Sequence, residues 1–223
     1  MSRTQVTAIH QPNFLPWLGY FYKLRHCDQF VLLDDAEYSK NSYINRNRIK
    51  TPDGPAWLTI PVQQSGRSRQ LIVDCQIYRP KQSFRKLLQT IEANYAQAPH
   101  FDRLFPEFRQ IIDQADDDLS QLNEALIRWA AKELDIATPI FRSSTLELKG
   151  ISGTARLVAV CQATAATHYL AGFGSKKYQE DTLFAEAGIA VQLSEFEHPV
   201  YPQRWGEFVP NLSVLDYLMM RPG

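Results

Sequence analysis

Residues 9–20, with the sequence IHQPNFLPWLGY, constrain the fold more than any other segment of the chain. They follow a strand-like apolar run at 5–9, their second half opens a run of apolar residues at helical spacing over 16–25, and a second aliphatic run occupies 29–33. A strand, a helix and a strand of these lengths favour a parallel pair of strands. The polar groups in the first turn predict a binding or catalytic site there, because ligands of open α/β sheets lie at the carboxyl ends of strands.

The same alternation returns in the last third of the chain. We expect strands at 139–142, 167–171 and 189–193, with helices at 154–163 and near 178–187. The pattern predicts an α/β fold, with a parallel, Rossmann-like sheet flanked by helices.

The middle third is different, because from about residue 80 to 135 its apolar spacing is helical. We therefore predict an N-terminal half of the α/β domain with motif loops (1–79), a helical insertion or subdomain (80–137) and a C-terminal half of the α/β domain (138–223). Polar residues 37–50 are expected to form a loop or hairpin, and 57–62 a strand that Pro61 confines to an edge or an end.

Charge and cysteine content exclude several classes of protein. Basic and acidic residues number 24 each, so no net charge draws the chain to nucleic acid or to an anionic membrane. Cys27, Cys75 and Cys161 are odd in number and widely spaced, which argues against a disulfide framework or a zinc site and favours a reducing cytoplasm. No apolar run approaches the ~18 residues of a membrane span. The oligomeric state is left open.

The first candidate site is the turn after the first strand, which carries His10, Gln11 and Asn13. A histidine in a wet cleft can transfer protons near neutral pH, and the two amides can orient a polar ligand. The structural alternative is that these side chains only hydrogen-bond the backbone of a proline-containing turn.

The second candidate site is the pair Asp34 and Asp35 at the end of the second strand. On an extended chain adjacent side chains point to opposite faces, so we expect at most one of the pair to face the same cleft as His10. Asp35 is predicted to orient His10, to act as a base, or to bind a magnesium ion shared with substrate phosphates. The alternative is a turn cap or a pair with a nearby arginine.

The third candidate site is the basic strip NRNRIK. Arg46, Arg48 and Lys50 alternate and share one face if the strip is extended, with Asn45 and Asn47 opposite. Arginine forks match phosphate or carboxylate oxygens, so the strip is predicted to bind an anion, while solvated surface ion pairing is the alternative. It is too short for a nucleic-acid groove.

Two later segments complete the set. The loop AGFGSKKY follows a predicted strand and offers backbone and charge suited to a phosphate, although it matches neither GxGxxG nor the P-loop. Its candidate binding residues are Gly172, Gly174, Ser175, Lys176 and Tyr178. The segment EHPVYPQRW brings His198 as a second imidazole, with Tyr201 and Gln203 as binding residues; a rigid proline-containing connector is the alternative.

Together these segments resemble the WbqC-like protein family: IHQPNFLPWLGYFYKL, DQFVLLDDAEYSKNSYINRNRIK, WLTIPV, GFGSKKY, EHPVYPQ and FVPNLSVLDYL. The resemblance runs from residue 5 to the C-terminus and is weakest in the middle third. It implies a bacterial cytosolic protein of polysaccharide, particularly O-antigen, biosynthesis that modifies an amino sugar or a sugar nucleotide. It assigns no catalytic role to a particular residue.

The layout also resembles that of HUP-type nucleotidylyltransferases, which bind nucleotide phosphates through a paired-histidine HxGH signature. Here Asn13 stands where the second histidine is expected, which argues against adenylylation.

The function expected from the sequence is transfer of an acyl or aminoacyl group to an amino sugar or sugar nucleotide, with His10 as general acid or base. The substrate is expected to be a small anion, such as a sugar nucleotide, or to be linked to an acyl carrier. A magnesium-dependent nucleotidylyltransferase and a non-catalytic binding protein of a glycan pathway are the alternatives.

Overall fold

The structure is a computed structural model that describes residues 4–64, 69–148, 150–172, 174 and 180–222. Its strands are β1 (Val6–His10), β2 (Gln29–Leu32), β3 (Arg46–Thr51), β4 (Gly54–Thr59), β5 (Ile140–Arg142), β6 (His168–Ala171) and β7 (Ala190–Leu193). Its helices are α1 (Leu18–Arg25), α2 (Pro80–Tyr95), α3 (Phe101–Gln114), α4 (Leu119–Glu133), α5 (Gly153–Ala163), α6 (Asp181–Glu186) and α7 (Val214–Met220).

The chain forms two compact units, each assembled from separate stretches. Unit 1 contains Met1–Gln11, Gly19–Asp35 and Ile136–Glu197. Unit 2 contains Pro12–Leu18, Ala36–Asp135 and His198–Gly223.

Unit 1 is built on a five-stranded sheet in the order β5-β2-β1-β6-β7, and every neighbouring pair is parallel. Helices α1, α5 and α6 each connect two strands of this sheet. The α/β class predicted from the sequence is therefore confirmed. The buried core combines strand residues with residues of α5 and α6: Ile9, Val31, Val158, Val160, Cys161, Tyr169, Ala171 and Phe184.

The strand order of unit 1 reverses at β1. The chain moves from β1 to β2 and β5 on one side, and then continues with β6 and β7 on the other. In open α/β sheets this reversal leaves a crevice outside the carboxyl ends of the two strands that flank it. In unit 1 those strands are β1 and β6.

Unit 2 combines an antiparallel hairpin, β3 and β4, with helices α2, α3, α4 and α7. Helix α3 contacts α2 and α4, and the rings of Phe108 and Trp129 lie edge to face with centroids 5.5 Å apart. The helical middle third predicted from its apolar spacing is confirmed. Asp118 caps α4, since its carboxylate accepts a hydrogen bond from the amide of Gln121 at 2.9 Å.

The two units do not coincide with the ranges 1–79, 80–137 and 138–223 predicted from the sequence. Residues 36–79 and 198–223 belong with the middle helices, because β3 contacts α7, β4 contacts α2, and α4 contacts α7. Asn123 of α4 connects the segment Pro12–Leu18 to the same unit. Its amide donates to the carbonyls of Pro12 and Ile44 at 2.8 Å each.

Local sequence accounts for the boundaries of two further elements. Gly188 ends the α6 turn with a φ of +71°, a conformation that side chains with a Cβ rarely adopt. The β4 strand covers Gly54–Thr59 instead of the predicted range 57–62, so Pro61 lies beyond its end. Among the described residues, no helix combines the length and apolar character needed to cross a bilayer.

Candidate functional site

The carboxyl edge of the unit 1 sheet carries the first group of candidate residues. β1 ends at His10, which pairs with Leu32 of β2, and the pairing of Ala8 with Leu170 puts His10 level with Gly172 beyond the end of β6. A Cβ placed on Gly172 would meet no heavy atom of the described residues within 4 Å. His10 and Gly172 therefore stand at the crevice expected where the strand order reverses.

The hydrogen bonds of His10 fix its tautomer. Its Nδ1 lies 3.2 Å from the carbonyl oxygen of Gln11, which can only accept a hydrogen bond. The neutral ring therefore carries its proton on Nδ1 and presents a lone pair on Nε2. The Tyr20 hydroxyl donates to the same carbonyl at 3.2 Å, and the Tyr20 ring packs on the imidazole with centroids 4.7 Å apart.

His10 is neutral at physiological pH. Burial, followed by the positive charge of Lys23, lowers its pKa to about 3, although the bond to the Gln11 backbone acts in the opposite direction. Before any substrate binds, the side chain is therefore a neutral hydrogen-bond acceptor and a weak base.

Lys23 of α1 is a buried cation beneath this turn. Its ammonium group donates to the carbonyl of Ile9 at 3.0 Å, and only 4% of the residue is exposed. Burial lowers the pKa of Lys23 to about 8, with a smaller opposing effect from Cys27. The lysine thus costs stability at neutral pH, while its charge helps to keep His10 unprotonated.

We expect Lys23→Met to stabilise the protein at pH 7 by about 1–2 kcal/mol, because the burial cost of the charge exceeds the lost hydrogen bond to Ile9. The folded pKa of about 8 lies below the ordinary 10.5, so the unfolded chain holds this proton more tightly. The cost is full below about pH 8 and disappears as the pH rises towards 10.5, and the gain should shrink accordingly. Urea unfolding at pH 7 and pH 10 measures both; a variant less stable than wild type at pH 7 would contradict the argument.

Asp34 and Asp35 follow β2 and do not behave as neighbours on an extended strand. The Ser143 hydroxyl lies 3.2 Å from Asp34 Oδ1 and 2.6 Å from Asp35 Oδ1, so both carboxylates reach the same group. The premise of an extended chain is wrong here, because β2 ends at Leu32 and the aspartates lie in a turn. That at most one of them faces the same cleft as His10 stays a prediction. Asp34 is fully buried and also accepts from the Ser144 amide and hydroxyl at 2.9 and 2.7 Å.

Asp35 forms an ion pair with Arg156 of α5. With Ser143 on one carboxylate oxygen and Arg156 on the other, both oxygens have protein partners. The described contacts of the His10 imidazole are with the Gln11 carbonyl and the Tyr20 ring, so the expected role of Asp35 as the orienter of His10 stays a prediction. Within the described residues, no group of three His, Cys, Asp or Glu side chains could hold a metal ion.

Arg156 is the residue of this edge that sequence reasoning missed. Only 7% of it is exposed, and it stands in the first turns of the otherwise apolar segment GTARLVAV. A lone charged residue in an apolar helix must meet a partner when it is buried. That signal was present, although the sequence did not show which carboxylate it would meet.

The candidate residues of the basic strip lie in unit 2, on or beside the β3–β4 hairpin. Arg46 stacks on Trp57 of β4, with its guanidinium carbon 4.1 Å from the ring centroid. Lys50 is buried, and its ammonium group bonds to the Glu207 carbonyl and to the Gln203 side chain. The Asn45 amide donates to the Ile60 carbonyl at 2.9 Å. The extended strip is confirmed, but its lysine and Asn45 already have protein partners.

The C-terminal candidates also lie in unit 2 and are held by local contacts. Tyr201 donates to the buried carboxylate of Asp216 at 2.8 Å, and Gln203 exchanges two hydrogen bonds with the Val209 backbone. His198 Nδ1 lies 2.9 Å from the Pro199 carbonyl. These contacts favour the interpretation of this segment as a rigid connector.

The site residues are thus divided between the two units. His10, Gln11, Asp35, Gly172 and Gly174 belong to unit 1, whereas Asn13, which is buried, belongs to unit 2 with the basic strip and the C-terminal candidates. Ser175, Lys176 and Tyr178 lie outside the described residues. A common site for all of them stays a prediction.

Comparison with known proteins agrees with the sequence motifs. Residues 11–222 match the WbqC-like protein family. A curated protein named uncharacterized protein Rv1507c, from Mycobacterium tuberculosis, is 36% identical over 213 residues that cover 95% of this chain and 91% of the relative. No solved structure matches the chain.

Proposed function

This chain belongs to the WbqC-like protein family, and we propose that it transfers an acyl or aminoacyl group to the amine of an amino sugar or sugar nucleotide in polysaccharide biosynthesis. The observation that carries the proposal is the neutral His10 imidazole, held by Gln11 and Tyr20 at the point where the strand order reverses. Ligands of open α/β sheets bind at this point.

The low basicity of His10 favours an amine as the acceptor. A hydroxyl must lose its proton before or during attack, which requires a strong base. A neutral amine attacks with its own lone pair, and its proton becomes acidic as the nitrogen–carbon bond forms. A ring with a pKa of about 3 is better matched to that later proton transfer.

The proposed reaction begins when the amine nitrogen attacks the carbonyl carbon of the acyl donor. The carbonyl electrons move to oxygen and return as the bond to the leaving group breaks, and that group departs with the electron pair. The proton of the amine passes to His10 Nε2 and then to the leaving group, so an amide and the protonated leaving group are the products.

Lys23 and Tyr20 are positioning residues in this scheme. Tyr20 stabilises the Gln11 carbonyl that fixes the His10 tautomer, and the charge of Lys23 disfavours the imidazolium form. Asp35 follows β2, the strand next to β1, and its ion pair with Arg156 places two charged side chains in fixed positions near this edge of the sheet.

A product screen tests the proposal. Wild-type protein and His10→Gln are incubated with acyl and aminoacyl thioesters and with amino-sugar nucleotides, and the mixtures are analysed by mass spectrometry. Amide formation by the wild type that is lost in the variant supports the proposal. Release of diphosphate from nucleoside triphosphates with magnesium points instead to nucleotidylyl transfer and overturns it. Ligand-induced thermal stabilisation without any product points to a binding protein and also overturns it.

A further inference from the structure

The hairpin of unit 2 carries two arginines whose charge no described residue neutralises. Arg46 and Arg48 alternate on β3 and are both partly buried. Neither guanidinium has a hydrogen-bond or ion-pair partner among the described residues, and the Nε atom of each is buried without one. Buried or half-buried arginine is normally paired, because an N–H group of a cation removed from water needs an acceptor.

The two arginines share one face of the hairpin. Alternate residues of a strand lie on the same face with Cα atoms about 7 Å apart. Lys50 continues the row, but its ammonium group is bonded to the Glu207 carbonyl, so it is not free for a ligand. Two positive groups at this spacing suit an anion that carries two adjacent charges.

An aromatic surface adjoins the arginines. Trp57 stands opposite Arg48 in the strand register, and its ring holds the Arg46 guanidinium by a cation–π contact. Trp57 and Tyr43 are each 47% exposed, and their ring centroids are 5.9 Å apart. Exposed rings beside unpaired arginines are the elements with which proteins bind a base and its phosphates.

We infer that this face, formed by Tyr43, Arg46, Arg48 and Trp57, binds a nucleoside diphosphate group. The arginines bind the diphosphate oxygens, and the base stacks on the exposed part of the Trp57 and Tyr43 rings. The inference concerns unit 2 alone and names a nucleoside diphosphate as its ligand, whichever of the two acceptors the reaction proposed for unit 1 uses.

Isothermal titration calorimetry with ADP, UDP, inorganic diphosphate and adenosine tests the inference without any need for turnover. Arg46→Met and Arg48→Met are each expected to weaken ADP and UDP binding at least 10-fold. Arg109→Met is the matched control, since Arg109 lies on α3 of the same unit and its guanidinium carbon is 4.9 Å from the centroid of the Phe105 ring. ADP and UDP binding by this variant should stay within 2-fold of wild type. Arg46→Lys and Arg48→Lys, which keep the charge but lose the fork, are expected to show the same loss if the Met variants do not fold.

Trp57→Ala separates base recognition from phosphate recognition. It is expected to weaken ADP binding at least 5-fold and inorganic diphosphate binding by a smaller factor, because diphosphate loses only the support that the ring gives to Arg46. Absence of ADP, UDP and diphosphate binding at millimolar concentration would overturn the inference, as would binding that the arginine variants do not change. Equal binding of ADP and diphosphate, unaffected by Trp57→Ala, would overturn the assignment of a nucleoside. Because these are equilibrium measurements, a failed product screen leaves their outcome unaffected.

Discussion

Replacing His10 with glutamine is expected to slow amide formation by about 10²- to 10⁴-fold, the usual contribution of a positioned general base. Glutamine is polar and of similar size, but its amide cannot accept a proton as the His10 Nε2 lone pair does. The measurement is the single-turnover rate with the donor and acceptor found in the product screen, at saturating concentrations of both.

His26→Gln is the matched control. His26 also belongs to unit 1, and its Nδ1 lies 2.8 Å from the Tyr22 carbonyl, but the ring is exposed after the carboxyl end of α1. Its variant should keep the wild-type rate. A His10→Gln rate within a factor of three of wild type would remove the proposed base from the mechanism.

The pH dependence of the rate and of the stability tests the role of His10 in a second way. Because the pKa of His10 is about 3, the wild-type rate should show no inflection near 6.5, the ordinary value for histidine. The depressed pKa also means that the unfolded chain binds this proton first, so wild-type stability falls as the pH drops from 6.5 towards 3. The loss is at most about 1.4 kcal/mol per pH unit, and His10→Gln should lack this contribution.

Periodicity was sufficient to predict the sheet, since alternation and helical spacing report which side chains face a core. All five strands of unit 1 lie within or beside the ranges expected from the sequence. The division into units was less accessible, because it depends on contacts between distant segments. The amide of Asn123, which donates to the Pro12 carbonyl, helps assign the segment Pro12–Leu18 to unit 2.

Only part of the candidate site could be predicted, because some of its contacts also join segments that are distant in the sequence. The positions of His10 and Gly172 follow from strand ends, which a sequence reveals. The pairing of Asp35 with Arg156 follows from a turn that brings the end of β2 towards α5, and no local pattern encodes it. The exclusion of Lys50 from the anion-binding face likewise depends on a carbonyl far along the chain, that of Glu207.

Asp34→Ala is expected to lower the free energy of unfolding by about 3–5 kcal/mol, which would make this buried carboxylate one of the most important structural groups of unit 1. Its oxygens accept hydrogen bonds from Ser144 and lie within reach of Ser143, and the residue is 0% exposed. Alanine leaves the Ser144 amide and hydroxyl without the acceptor that this fully buried side chain provides. Urea unfolding at neutral pH measures the loss.

Asp28→Ala is the control that separates the effect of burying a carboxylate from the effect of losing one. Asp28 also accepts a backbone amide, that of Val6 at 2.8 Å, but it is exposed at the amino end of the same sheet. Water can replace it, so its loss should cost about 1 kcal/mol or less. Asp34→Asn should fall between the two, because its amide oxygen still accepts the Ser144 amide while its NH₂ group can donate to the Ser144 hydroxyl. If Asp34→Ala cost no more than Asp28→Ala, the connection between the ends of β2 and β5 would not depend on this carboxylate, and Ser143 would be held towards Asp35 by other contacts.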